Sequence, residues 1–98
     1  MAPPDALDSP LVRRTATIVN RKGLHARAAA KLVKLASGFQ SEVRVVKNGS
    51  VVNGRSIMGL MMLAAATGTT IEIRAQGPDA EAAADAVASL VVAGFDED

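Results

Sequence analysis

Apolar positions in this chain change period several times, and the changes predict its elements. Val12 to Val19 (VRRTATIV) is β-branched with partial alternation, which predicts a strand. Asn20-Arg21-Lys22-Gly23 breaks it. From Ala26 to Ser37 the apolar residues Ala29, Leu32, Val33 and Ala36 fall at helical spacing, with Lys31 and Lys34 off the stripe and Gly38 placed for a left-handed cap. Glu42 to Lys47 and Ser50 to Asn53 are β-branched runs joined by Asn48-Gly49, the strongest short signal for a hairpin. Ser56 can cap a short helix, Ile57 to Ala66, which Gly59 weakens and Gly68 closes. Thr69 to Ala75 alternates cleanly, with Ile71 and Ile73 inward. Gly77-Pro78-Asp79 opens a last helix whose buried stripe is Ala83, Val87, Leu90 and Val91. Asp96-Glu97-Asp98 reads as a frayed tail.

The order β-α-β-β-α-β-α leaves one economical arrangement. It is an α+β open-faced sandwich, a four-stranded, mainly antiparallel sheet with three helices on one face. The 98 residues suit one domain, read as 11–98, behind a proline-rich flexible leader, 1–10. The only aromatic residues are Phe39 and Phe95, so the core must be built from Ala, Leu, Val, Ile and Met. Without cysteine, disulfides and zinc–thiolate sites are excluded. No apolar run approaches the roughly 20 residues of a membrane span. The amino-terminal stretch also lacks a basic, apolar signal. The expectation is a cytoplasmic chain without membrane insertion.

Charge is divided along the sequence. Leu11 to Arg55 carries ten basic residues and one acidic residue, whereas Ser56 to Asp98 carries one basic and seven acidic. A basic surface near the first helix suits an acidic protein partner. Nucleic acid fits poorly, because aromatic side chains and nucleic-acid motifs are missing from the basic stretch.

His25 is the only histidine, and it falls where the first helix begins. That place supplies free backbone N–H groups and the positive end of the helix dipole. The dipole favours a neutral ring with a lone pair available for attack. The N–H groups, that of Ala26 included, can hold phosphoryl oxygens, and Arg27 adds a planar charge suited to them. A lone histidine can equally be a cap or a surface side chain. It cannot complete a conventional metal site without a second histidine or a cysteine, and nothing here supplies a nucleophile elbow for a hydrolase. No motif calls for a cofactor.

Gly23 to Ala30 (GLHARAAA) resembles the active-site signature of the HPr family, the histidine phosphocarriers of the bacterial phosphoenolpyruvate-dependent phosphotransferase system. Val51 to Leu63 (VVNGRSIMGLMML) resembles that family's second signature, at a similar separation. The resemblance covers roughly Val12 to Val92. It implies that His25 carries phosphate on Nδ1, that Arg27 interacts with this phosphate, and that Ser56 is modified by a kinase/phosphorylase. It also implies enzyme I as donor and an enzyme IIA-type protein as acceptor. The chain would then be a protein substrate and not an enzyme. The family usually has proline where this chain has Ala28. Alanine suits a first helical turn, so phosphoryl transfer is expected to survive.

Ile57, Met58, Met61 and Met62 are too many large apolar residues for one side of a short helix, so some should be exposed. Ile57, Met58 and Met61, with Lys31 and Lys34, are the expected docking residues, and a docking role favours a monomer. Two rival readings stand beside the carrier. One is a regulatory module that docks through Ser56 and the methionines. The other is a small-molecule-binding domain of similar topology.

Overall fold

The computed structural model describes residues 10–97, so the proposed leader lies almost wholly outside the described residues. Strands β1 (Val12–Thr17), β2 (Glu42–Lys47), β3 (Ser50–Asn53) and β4 (Thr70–Gln76) form one sheet in the order β1-β4-β2-β3. Every neighbouring pair is antiparallel. The alternation in β4 explains its central place. Ile71, Ile73 and Ala75 are buried while Glu72 and Arg74 stay partly exposed. Val43 and Val45 of β2 and Ala16 of β1 face the same core. At the hairpin Asn48 and Gly49 both have positive φ, 49° and 84°, as the primed two-residue turn requires.

Helices α1 (Ala26–Ala36), α2 (Ile57–Met62) and α3 (Ala80–Val92) complete the β-α-β-β-α-β-α sandwich. α1 buries Ala28, Ala29, Leu32 and Ala36, and α3 buries Ala80, Ala83, Ala84, Val87 and Val91. The small side chains of α3 let it approach β1 and β4 closely, while α1 packs against α2 and α3. Leu60 and Leu63 plug the core beneath α2. Of the predicted stripes, Ala29, Leu32 and Ala36 of α1 and Ala83, Val87 and Val91 of α3 are buried while Val33 is half-buried, and this burial, more than intrinsic propensity, holds the helices in place.

Several boundaries differ from the sequence expectations. β1 stops at Thr17 and not Val19, although Ile18 still exchanges backbone hydrogen bonds with Thr69 and Gly68. Gly38 is not left-handed. α1 instead runs out through Gly38 N–H to Leu35 O and Phe39 N–H to Ala36 O. The Arg55 guanidinium then gathers the Ala36, Phe39 and Ser41 carbonyls. α2 ends at Met62 and not Ala66, because Ala64 turns left-handed at φ 52°. Lys47 takes up the freed Leu63 and Ala64 carbonyls, and the Ala65 carbonyl accepts from Leu24 N–H. α3 begins at Ala80, and its N-cap residue Asp79 makes no side-chain cap bond. The Asp79 carboxylate accepts instead from Gln40 N–H, Ser41 N–H and the Ser41 hydroxyl, which holds it below the usual aspartate range; the Ser41 hydroxyl is the main cause. Leu90 is half-buried, and Gln76 extends β4.

The tail is the largest correction, at Asp96 and Glu97; Asp98 lies outside the described residues. After α3 the chain enters a tight turn, Gly94–Asp96, with Gly94, Phe95 and Asp96 all at positive φ. The Phe95 side chain is fully buried and its carbonyl accepts from Lys31 Nζ at 2.6 Å. One large apolar side chain thus fixes a segment that its charge alone marked as solvated.

Candidate functional site

His25 is the N-cap residue of α1, with extended φ and ψ of −79° and −179°, and its ring makes no cap bond. The first N–H to bond within the helix is that of Ala29, to the His25 carbonyl at 2.8 Å. Those of Ala26, Arg27 and Ala28 come before it and have no helical acceptor. They lie at the positive end of the dipole, the natural place for an anion.

The loop before the ring is held closely. Gly23 has φ 65°, and a Cβ there would lie 2.4 Å from the Ala65 carbonyl oxygen. Leu24 N–H donates to that carbonyl at 2.9 Å, and Gly23 N–H donates to Asn20 O at 3.2 Å. Glycine supplies both the left-handed backbone and the close approach that bring the α2–β4 connection against the site.

Arg21, Lys22, His25, Arg27 and Glu97 line a cleft of about 210 Å³. The ring is partly buried, with 25% of the side chain accessible. His25 Nε2 lies 2.9 Å from Glu97 Oε1, which also accepts from Asn20 Nδ2 at 2.8 Å. Asn20 is buried, and its amide donates in addition to the Gly23 carbonyl at 2.8 Å. The Asn20 and His25 hydrogen bonds hold the Glu97 carboxyl below the usual glutamate range against some desolvation, and the nearby Lys31 charge adds to the effect. Sequence reasoning missed both residues. Asn20 reads as a strand breaker and Glu97 as tail; the available signal was Phe95, an isolated aromatic beside Gly94 near the end.

The other predicted residues lie apart from this cleft. Ser56 is the N-cap of α2 as expected, its hydroxyl accepting from Gly59 N–H at 3.0 Å. Arg55, beside it, is committed to carbonyls at the end of α1. Met58 and Met62 are 71% and 79% exposed, and Ile57 and Met61 are partly so. Lys31 is tied to the Phe95 carbonyl, whereas Lys34 is exposed beside a groove lined by Leu35, Phe39 and Leu90. Among the described residues no helix is long and apolar enough to cross a membrane, and no cluster of His, Cys, Asp or Glu could hold a metal ion.

An open-faced sandwich that presents one histidine, an arginine and free N–H groups at a helix start has the makings of a small phosphoryl-carrier domain. The family model described as "PTS HPr component phosphorylation site" matches residues 12–93. The phosphocarrier protein HPr of Cupriavidus necator is 47% identical over 87 residues, covering 89% of this chain and 98% of the relative. The phosphocarrier protein NPr of Shewanella violacea is 46% identical over 86 residues, covering 88% of this chain and 94% of that protein. The crystal structure of HPr-C-His from Thermoanaerobacter tengcongensis superposes with a TM-score of 0.84 at 40% identity, covering 89% of this chain and 98% of the other. The chain belongs to the HPr family of the phosphotransferase system, whose members are phosphocarriers and not catalysts.

Proposed function

We propose that His25 accepts a phosphoryl group from enzyme I, with phosphoenolpyruvate as its source, and passes it to an enzyme IIA-type protein. The observation that carries this reading is the place of His25 ahead of three N–H groups without helical acceptors, in a cleft with Arg21, Lys22 and Arg27. These groups hold phosphoryl oxygens and balance their charge. Transfer of this kind depends on positioning and electrostatics, which a small fixed site can supply. Arg27 and the Ala26 N–H stabilise the phosphate. Lys34, Ile57, Met58 and Met61 are the docking surface, and Lys31 borders it. A relay assay tests the scheme. Enzyme I and phosphoenolpyruvate load the chain, and a IIA-type protein is then added. Movement of the phosphoryl group to the acceptor is expected, and a loaded chain that retains it against every IIA-type protein of the same organism contradicts the scheme.

Regulatory phosphorylation of Ser56 by a kinase/phosphorylase is the second part of the proposal. A phosphate there would sit at the start of α2, where negative charge is tolerated, beside the exposed Met58 and Ile57. The fold should survive while docking changes. The cognate kinase and ATP should add one phosphoryl group to the wild type and none to Ser56→Ala.

A further inference from the structure

The proposed phosphoryl chemistry on His25 uses one ring nitrogen; the contacts of the other are unaccounted for. Nε2 faces Glu97 Oε1 at 2.9 Å. A carboxylate only accepts, so the contact places a proton on Nε2 and leaves Nδ1 as the ring nitrogen not engaged by Glu97. Glu97 is itself held in place. Its Oε1 takes one N–H of the Asn20 amide at 2.8 Å, and the other amide N–H goes to Gly23 O. Asn20 is 1% exposed and cannot turn away to water. The segment that brings Glu97 here is anchored by buried Phe95 and by Lys31 on its carbonyl. The contact joins residues 72 apart in sequence, so it is a product of the tertiary fold and not a local accident.

We infer that Glu97 is a positioning residue for His25: it holds the ring by Nε2, so that Nδ1 is the nitrogen left to react, and balances the charge that the ring acquires with a phosphoryl group. The inference rests on the carrier reading of His25. In the step, the Nδ1 lone pair forms the bond to phosphorus. The bond from phosphorus to the donor protein's leaving atom breaks, and its electron pair stays with the donor. The Nε2 proton does not move, so the phosphorylated ring is cationic until the group is passed on. A carboxylate in hydrogen-bond contact favours that cation, as an acidic residue does behind a catalytic histidine. Arg21, Lys22 and Arg27, around the same cleft, meet the phosphoryl oxygens instead.

Two measurements on the full chain test this. Proton–nitrogen spectra should show the His25 Nε2 proton slowed in solvent exchange in the wild type and lost to fast exchange in Glu97→Ala. In equilibrium with enzyme I, phosphoenolpyruvate and pyruvate, the ratio of phosphorylated to free chain should fall about tenfold in Glu97→Gln, which keeps the shape and removes the charge. A ring proton indifferent to Glu97→Ala overturns the inference, as does a Glu97→Gln chain phosphorylated as fully as the wild type. The ring-proton measurement needs no partner protein. A wild-type chain that accepts no phosphoryl group therefore refutes the carrier reading separately, while the spectra still decide the contact.

Discussion

Replacing Phe95 by alanine tests whether the carboxyl-terminal segment is part of the folded domain. The side chain is fully buried and packs into the single core beneath α3. Truncating a buried phenylalanine costs about 3–5 kcal/mol in transfer free energy and cavity formation. Nothing offsets that loss. Phe95 sits at φ 56°, a conformation that alanine tolerates no better, so the backbone strain of about 1–2 kcal/mol remains. A domain of this size has about 5–15 kcal/mol in total, so the change removes a large share of it. At about 4–8 °C per kcal/mol, the melting temperature should fall by roughly 12–40 °C. Urea unfolding followed by circular dichroism measures the loss, with an unchanged slope showing that the transition remains two-state. A loss below about 0.5 kcal/mol, inside the range of ordinary surface substitutions, would refute the anchoring of the segment by Phe95.

Other perturbations follow from single contacts. Gly23→Ala places a Cβ 2.4 Å from the Ala65 carbonyl oxygen at φ 65°, so it should destabilise by about 2 kcal/mol or more in a thermal melt. Ala64→Gly relieves an exposed left-handed alanine and should stabilise by about 0.5–1 kcal/mol. Glu97 is held below the usual glutamate range in the folded chain, so its contribution to stability is present near neutral pH and lost as pH falls through that depressed value. Acid titrations should accordingly show a steeper loss for wild type than for Glu97→Gln. Ala28→Pro falls in the first turn of α1, where no helical hydrogen bond is lost, and should change stability by no more than about 1 kcal/mol; it removes the Ala28 N–H but leaves those of Ala26 and Arg27, so phosphoryl loading read by intact mass should persist.

Much of this architecture is legible in the chain because local pattern and tertiary burial agree. β4 alternates, α1 carries a narrow apolar stripe, and Asn48-Gly49 admits one kind of turn. His25 and Ser56 were legible as helix starts because capping is a local property. What escaped depends on distant partners. Ala64 to Ala66 looks helical until Lys47, Leu24 and Thr69 claim its carbonyls. Glu97 looks solvated until Phe95 fixes the backbone beside it and Asn20 supplies a donor from the other end of the chain. The methionines are intermediate. Their excess predicts exposure, but only the structure shows Leu60 and Leu63 taking the buried positions.

The account stands on His25 as the phosphorylated residue. The direct measurement is the intact mass of the chain after incubation with enzyme I, magnesium and phosphoenolpyruvate, beside His25→Ala. The account predicts one added, acid-labile phosphoryl group on the wild type and none on the variant. An unmodified wild type with an active enzyme I of the same organism, or a variant modified as readily as the wild type, would contradict it.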